Sequence, residues 1–204
     1  MRPDIAVAVS RLCANMNEPT WRDALQLQHL LRYLNNTKDY AMEFKRRVNE
    51  NGSYPKLEVY TDSSFAELDD EERKSRTGVL VTLDGNPIFW RTKRQKVTAV
   101  STHEAELLAL WSGVQEALHF RRLLEDMGER QPASTPVYVD NSSAVISANT
   151  ERETTAHRHL DVRFFRIRDH VRLKDIAGSI GSRRRSHAGI PRRSISRPES
   201  GYDP

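Results

Sequence analysis

Two strand-forming runs of the sequence each end on an aspartate that small polar residues follow. The run "LEVYTDSSF" contains Asp62, and the run "VYVDNSSAV" contains Asp140. An aspartate after a strand is often only turn or helix-capping chemistry, which explains either residue taken alone. Two such strands can, however, bring two carboxylates within a few ångströms, where they repel each other unless a cation lies between them.

Further carboxylates lie at the start of the helix predicted between these strands. Ser101 and Thr102 are its capping residues, Glu104 and Glu106 lie in its first turns, and Gly128 ends it. Oxygen ligands without paired Cys or His favour Mg²⁺ or Mn²⁺ over zinc. Two such ions bound by three carboxylates suit hydrolysis of a phosphodiester. The sequence chemistry therefore points to metal-dependent phosphodiester hydrolysis.

Hydrophobic periodicity predicts the elements that must position these acids. Three strands, "KLEVYTD", "TGVLVTL" and "PIFWRTK", precede the long helix, and "DGN" marks a hairpin between the second and third. The strand "PVYVD", a short helix "SSAVISANT" and a helix "RHLDVRFFRIRDHVRLKDI" follow. The order β-β-β-α-β-α-α predicts an α/β fold with a mixed sheet. An antiparallel three-strand meander is extended by a parallel strand behind a right-handed crossover helix.

The segment before this sheet is predicted to be helical, over residues 1–50. Pro3 suits a first helical turn and Thr20 an N-cap, and an apolar stripe runs from Trp21 to Leu34 at helical spacing. We interpret the segment as a structural helix pair that contributes no catalytic group. The turn-rich "NENGSYP" separates it from a second domain over residues 55–176.

The net charge of +4 comes entirely from the last residues of the chain. Residues 177–204 contain six arginines and two acids, which gives +4, so residues 1–176 are balanced. This Arg- and Ser-rich tail shows neither structural period and is predicted to be disordered, with a role as an address or binding arm as one option. The pI of about 9.3 is therefore no sign that the folded part binds nucleic acid.

Cysteine usage and hydropathy bound the compartment. Cys13 is the one cysteine, which excludes an internal disulfide and a Cys-based zinc site. The sequence has no apolar run long enough to span a membrane, and no small-residue cleavage site follows its N-terminus. An intracellular protein is expected, in a compartment that the sequence leaves open.

Extended runs of the sequence carry a family resemblance. The runs "FWRTKRQKVTAVSTHEAELLAL", "VYVDNSSAV" and "HRHLDVRFFRIRDHV" resemble the ribonuclease H domain of copia-type LTR retrotransposon polyproteins. Upstream, "RPDIAVAVSRLCANMNEPTWRDALQLQHLLRYLNNTKDYAM" resembles the end of the reverse transcriptase that precedes this domain. The resemblance extends from Arg2 to about Ile176. It implies a ribonuclease H-like fold, Mg²⁺ as cofactor and cleavage of the RNA strand of an RNA–DNA hybrid.

The resemblance also implies which acids are catalytic and bind metal. Asp62 matches the family's first-strand aspartate, and Asp140 matches the aspartate that ends the fourth strand. The family's helix glutamate directly precedes an apolar run, and "ELLAL" assigns that role to Glu106. Glu104 is then the capping residue or a lesser contributor.

Several polar residues near these acids are candidate contacts to nucleic acid. Lys93, Arg94 and Lys96 in "RTKRQK" are predicted to lie on a strand-to-helix connection and to contact phosphates. A solvated basic loop explains them equally well. Ser63 and Asn141, which follow the two aspartates, complete the predicted nucleic-acid contacts.

A second possible metal group lies further along the chain. His157 and His159 are two residues apart, which is poor spacing for one helical face, and Asp161 is explained as a helix-start charge. Metal binding at this group is therefore not the preferred interpretation.

The sequence departs from the family's pattern at its C-terminal end. After Ile176 the family has a fifth strand and then a fourth metal-binding aspartate in an Ala-Asp dipeptide, and neither is recognised in this sequence. Such a departure is what a lost reading frame would produce. The polymerase's Asp-Asp motif is absent as well. We therefore expect impaired ribonuclease H activity, with a catalytically inactive remnant that at most binds nucleic acid as the alternative.

Overall fold

The computed structural model describes residues 2–46, 54–66, 73–141, 146, 162–180 and 195–196. Contacts divide the chain into two compact units, one formed by residues 1–46 with 186–204 and the other by residues 47–185. The predicted helix "SSAVISANT", of which only Ile146 is described, and the residues His157, His159 and Asp161 lie outside the described residues. Within the described ranges, the structure has no helix with the length and apolar character that a membrane span requires.

The first unit contains both helices that the sequence predicts. A single turn of 3₁₀ helix, Pro3–Ile5, leads into α1 (Ala6–Ala14), and α2 spans Trp21–Asn36. The Thr20 hydroxyl accepts the N–H of Asp23, and the Asp23 carboxylate accepts the N–H of Thr20. This reciprocal capping fixes the start of α2.

The apolar stripe of α2 is not buried by the described part of the chain. Trp21 is 71% exposed, and Leu27 and Leu31 are 46% and 56% exposed. The stripe therefore does not form the interior of this unit, which the sequence pattern alone would have indicated. A short strand β1 (Ala41–Met42) pairs antiparallel with β7 (Ile195–Ser196).

The second unit is built on a five-stranded mixed sheet. Its strands are β2 (Leu57–Ser64), β3 (Arg76–Leu83), β4 (Asn86–Arg94), β5 (Thr135–Val139) and β6 (Ile176–Ile180), in the order β4-β3-β2-β5-β6. Strands β2, β3 and β4 are antiparallel, whereas β5 runs parallel to β2 and β6 parallel to β5. The predicted meander with a parallel extension is confirmed.

Strand β6 corrects the prediction that no fifth strand follows Ile176. Residues Ile176–Ile180 pair residue by residue with Thr135–Val139, so the sheet continues past the expected boundary. The prediction was wrong because "IAGSI" has three small or polar residues and no alternation. Its strand conformation is supported by hydrogen bonding to β5, which local periodicity does not reveal.

Two helices complete the second unit, α3 (Thr102–Asp126) and α4 (Val162–Arg172). Helix α3 packs across β2, β3 and β5, and it connects β4 to β5. The core between helix and sheet is formed by fully buried apolar side chains: Val59, Val81, Leu110, Val114 and Val137.

The turn and cap signals of this unit occur where the sequence predicts them. Asp84 and Gly85, with φ of 52° and 79°, form the tight turn between β3 and β4. The Ser101 hydroxyl accepts the N–H of Glu104 at 3.1 Å and caps α3. Gly128 follows the other end of α3 with a φ of 84°, a conformation that glycine adopts without strain.

Candidate metal centre

Asp62 and Asp140 occupy matching positions on neighbouring parallel strands. The pairs Tyr60–Tyr138 and Thr61–Val139 share a numbering offset of 78, and the next residues, Asp62 and Asp140, keep that offset (140 − 62 = 78). Asp62 is half-buried within β2, and Asp140 is exposed directly after β5. The strand pairing thus brings together the two carboxylates that the sequence singled out.

Glu106 joins these aspartates from the second turn of α3. Its side chain is buried, at 6% exposure, and one carboxylate oxygen from each of Asp62, Glu106 and Asp140 lies within 4.8 Å of the others. The N-terminal end of α3 is therefore located at the strand ends, as the order of elements predicts. The three predicted acids converge, and their catalytic role stays a prediction.

Glu104 does not belong to this acidic cluster. Its Oε2 accepts the backbone N–H of Val100 at 2.8 Å, and its own N–H donates to the Ser101 hydroxyl. Its carboxylate therefore satisfies a backbone donor that precedes α3, close to the capping-box arrangement predicted for it. The geometry agrees with the choice of Glu106 over Glu104 as the helix acid.

The cluster raises the pKa values of two of its carboxyl groups. Burial raises the pKa of Glu106 to about 7, and the charges of Asp140 and Asp62 add to that rise against a hydrogen bond from Ser63. The pKa of Asp62 is also raised, first by burial and then by the charge of Asp140. In the absence of a cation, the cluster therefore retains a proton close to neutral pH.

One carboxylate oxygen of Glu106 has an unused acceptor capacity. Its Oε1 accepts the hydroxyl of Ser63 at 2.6 Å, whereas Oε2 is buried and has no hydrogen-bond partner. A buried acceptor without a partner is costly, and a cation beside it would remove that cost along with the repulsion between carboxylates. Because every donor is an oxygen, the cluster fits a hard divalent cation and forms a candidate divalent-metal site.

The predicted basic contacts lie on the same edge of the sheet. Lys93 and Arg94 are the last two residues of β4 and not part of the connection, whereas Lys96 lies within the connection as predicted. Ser63, Thr77 and Lys93 form one row across β2, β3 and β4. Two strand spacings put the Lys93 backbone roughly 10 Å from that of Ser63. Lys93 and Lys96 are exposed.

Ser63 and Asn141 lie next to the two aspartates. The Ser63 hydroxyl donates its hydrogen to Glu106, so its closest described partner is an acid of the cluster. Asn141, half-buried, directly follows Asp140. Contacts of either residue with nucleic acid stay predictions.

Sequence reasoning missed one buried polar residue beside the cluster. Gln95 lies between β4 and α3 and is 8% exposed. Its Nε2 donates to the hydroxyl of Thr77 at 2.9 Å and to the carbonyl of Ala105 at 3.0 Å. Its position within the basic run "RTKRQK" indicates a solvated side chain, and no local pattern marks it as buried.

No family model matches the chain, but curated proteins do. A retrovirus-related Pol polyprotein from transposon TNT 1-94 of Nicotiana tabacum is 36% identical over 173 residues, which are 83% of this chain and 12% of that protein. The Pol polyprotein from transposon RE1 of Arabidopsis thaliana is 30% identical over 83% of this chain and 11% of its own length. The chain thus spans about an eighth of these relatives or less.

A shorter relative matches over most of its own length. The secreted RxLR effector protein 161 of Plasmopara viticola is 38% identical over 117 residues, which are 57% of this chain and 78% of that protein. Its printed name gives no activity that can be transferred to this chain.

Solved structures with ribonuclease H domains also align with the chain. The LC11-RNase H1 isolated from compost covers 63% of this chain with 16% identity and a TM-score of 0.45. The N-terminal RNase H domain of rv2228c from Mycobacterium tuberculosis covers 69% with 11% identity and a TM-score of 0.46. At these scores the likenesses assign no function to the chain.

The family assignment therefore rests on sequence. Relatives that are 36% and 30% identical match 83% of the chain, and they match the regions that carry the resemblance to copia-type polyproteins. The chain belongs to the family of retrovirus-related Pol polyproteins of transposons, of which it represents one segment.

Proposed function

We propose that the second unit is a ribonuclease H that cleaves the RNA strand of an RNA–DNA hybrid. The observation that carries this proposal is the convergence of Asp62, Glu106 and Asp140 within 4.8 Å at one end of a mixed sheet. The family assignment supports the substrate, and the all-oxygen donor set supports Mg²⁺, with Mn²⁺ as a substitute.

Each acid has a distinct position in the proposed site. Asp62 and Asp140 hold the cation from two strands, and Glu106 approaches from α3 with its unpartnered Oε2. A bound divalent cation supplies electrostatic stabilisation of the charge that develops on a phosphodiester during hydrolysis. The exposure of Asp140 leaves the cluster open to solvent on one side, where a phosphate group can approach.

Basic residues on the same sheet edge fit the proposed substrate. Lys93 and Lys96 are exposed, and Lys93 lies in the cross-strand row that begins at Ser63 beside Glu106. Cations at this distance from a cleavage site can hold the phosphates of the flanking nucleotides. Phosphate contacts position a hybrid without reading its sequence, which suits a nuclease without base specificity.

The proposed activity is reduced relative to a ribonuclease H with four metal-binding acids. After Asp175 the sequence contains two acidic residues, Glu199 and Asp203, and neither stands in an Ala-Asp dipeptide. Strand β6 is present, so the loss concerns the fourth acid and not the strand expected before it. Removal of one preorganised electrostatic group typically costs about 10²–10³ in rate.

A second candidate function is a catalytically inactive domain that binds nucleic acid. The absence of a recognisable fourth acid from the sequence favours it. The two functions differ in whether Asp62, Glu106 and Asp140 are needed. Binding through basic residues would survive their replacement, whereas cleavage would not.

The test is incubation of the full chain with a hybrid whose RNA strand is labelled, in Mg²⁺ and separately in Mn²⁺. Asp140→Asn is the matched control, because Asp140 is exposed and its replacement leaves the core intact. We expect slow cleavage of the RNA strand of the hybrid that EDTA and Asp140→Asn both abolish. Binding of the hybrid without cleavage by the wild-type chain would establish the second candidate.

A further inference from the structure

Gln95 connects the start of α3 to the sheet. Its Nε2 donates to Oγ1 of Thr77 in β3 and to the carbonyl oxygen of Ala105 in α3. Its backbone N–H donates to the carbonyl oxygen of Ser75 at 2.8 Å, directly before β3. One buried side chain thus fixes the distance between a strand and the first turns of a helix.

The bond to Ala105 is important because the next residue is Glu106. A carbonyl oxygen has two lone pairs, so Ala105 can accept from Gln95 in addition to any bond within the helix. The glutamate side chain has three rotatable bonds, and the place of its carboxylate depends on the backbone from which it starts. Gln95 therefore acts on the backbone end of Glu106.

Ser63 acts on the other end of the same side chain. Its hydroxyl donates to Oε1 of Glu106 at 2.6 Å, and Ser63 is the register partner of Thr77. The contacts close into a ring from Glu106 through Ser63, Thr77, Gln95 and Ala105 back to Glu106. A ligand that is held at both ends loses little conformational freedom when it binds a cation.

We propose that Gln95 is a positioning residue for the metal site: it fixes the start of α3 so that the Glu106 carboxylate stays beside Asp62 and Asp140. The metal-binding part of this inference rests on the proposed function, whereas the placement of α3 does not. Replacement of groups that orient metal ligands typically reduces metal affinity about 10–100-fold. A residue that only stabilised the fold would not change the affinity in this way.

The chain offers a matched control at the opposite end of the same helix. Arg121 of α3 donates to the hydroxyl of Thr135 at 2.9 Å, and Thr135 is 2% exposed at the start of β5. Thr135→Val removes a buried hydrogen bond between α3 and the sheet, as Gln95→Met does, but away from Glu106. Both variants keep side-chain volume and lower the thermal midpoint.

The experiment compares Gln95→Met and Thr135→Val in the full chain by Mn²⁺ titration calorimetry and by amide hydrogen exchange. We expect Gln95→Met to weaken Mn²⁺ binding at least about tenfold and to speed exchange in residues 102–108 more than in residues 113–126. Thr135→Val should leave the Mn²⁺ affinity unchanged.

Two results would overturn the proposal: an unchanged Mn²⁺ affinity in Gln95→Met, or exchange that rises uniformly along α3. A wild-type chain that binds no Mn²⁺ would contradict the proposed function, and the exchange profile would then decide alone whether Gln95 fixes α3. If Gln95→Met does not fold, Thr77→Val removes one acceptor of Gln95. It should weaken Mn²⁺ binding about threefold or more, and an unchanged affinity would overturn the proposal equally.

Discussion

Asp62 and Asp140 extend from the same register position of two neighbouring parallel strands, so their carboxylates are held together by backbone pairing. Glu106 reaches them from α3, and the charges of the three groups raise the pKa of Glu106 and of Asp62. The fold thus maintains a repulsive arrangement of acids. Such an arrangement becomes favourable when a cation binds among them.

The first prediction concerns pH in metal-free buffer. The pKa of Glu106 is about 7 in the folded chain against an ordinary value of 4.5, so the folded chain retains a proton that the unfolded chain has released. Its contribution to the free energy of unfolding is therefore present below pH 4.5 and is lost as the pH rises to about 7. Urea unfolding in EDTA, at pH 5 and pH 7.5, measures this loss.

Glu106→Gln is the control for this pH dependence. The variant cannot release a proton at this position, so the fall in stability between pH 5 and pH 7.5 should be smaller than in the wild-type chain. At pH 7.5 without metal it should be at least as stable as the wild-type chain. Equal pH dependence in both proteins would contradict the assignment of the raised pKa to Glu106.

The second prediction concerns stabilisation by a divalent cation. A ligand at 100 times its Kd that binds only the folded state stabilises it by about 2.7 kcal/mol. Mn²⁺ should therefore raise the thermal midpoint of the wild-type chain, and Asp140→Asn should remove this rise. Glu129→Gln, at an exposed acid just after α3, should keep it. Loss of the rise in both variants would indicate a general charge effect.

The third prediction concerns the close approach of α3 to β2 at Gly113. A Cβ atom there would overlap Cγ2 of Thr61, and Val59 and Val137 leave little room beside it. Alanine normally favours a helix over glycine by about 1 kcal/mol. Here Gly113→Ala should instead destabilise the chain by about 1–3 kcal/mol, because α3 must move away from the sheet.

Chemical denaturation of Gly113→Ala beside Gln115→Ala measures this effect. Gln115 is exposed on the same helix, so its replacement should change the free energy of unfolding by less than about 0.5 kcal/mol. Because the shift of α3 also moves Glu106, Mn²⁺ binding should weaken in Gly113→Ala alone. A stabilised Gly113→Ala would show that the helix does not contact β2 as closely as described.

The fourth prediction concerns the basic edge of the sheet. If Lys93 contacts a phosphate, Lys93→Ala should weaken binding of an RNA–DNA hybrid and lower the salt dependence of log K by about one unit. The exposed Lys38, in the first unit, gives the control variant Lys38→Ala. Fluorescence anisotropy at several salt concentrations provides the slopes. An equal slope for Lys93→Ala and the wild-type chain would favour a solvated basic edge.

The sequence carries most of the information on the sheet and on the acids. Alternating β-branched runs, the Asp84–Gly85 turn and the cap at Ser101 are local signals, and they identify β2, β3, β4 and α3 at nearly their observed bounds. The convergence of the acids follows from element order, because a crossover helix between parallel neighbours begins near the strand ends.

The features that the sequence did not reveal depend on tertiary contacts. Strand β6 has a composition typical of a loop and is stabilised by its pairing with β5. Gln95 resembles a surface residue in the sequence, and it is buried because β4 ends beside α3. The stripe from Trp21 has the period of a buried helix face yet is exposed, because periodicity indicates a common face and not what covers it.

The most direct test of the central claim is a crystal structure of the full chain with Mn²⁺, collected for anomalous scattering. The account predicts an anomalous peak about 2 Å from carboxylate oxygens of Asp62, Glu106 and Asp140, with Glu104 still bonded to the N–H of Val100. The same crystals of Asp140→Asn should lose the peak or show it much weakened. At saturating Mn²⁺, a wild-type site without this peak, or a peak bound by Glu104 instead of Glu106, would contradict the account.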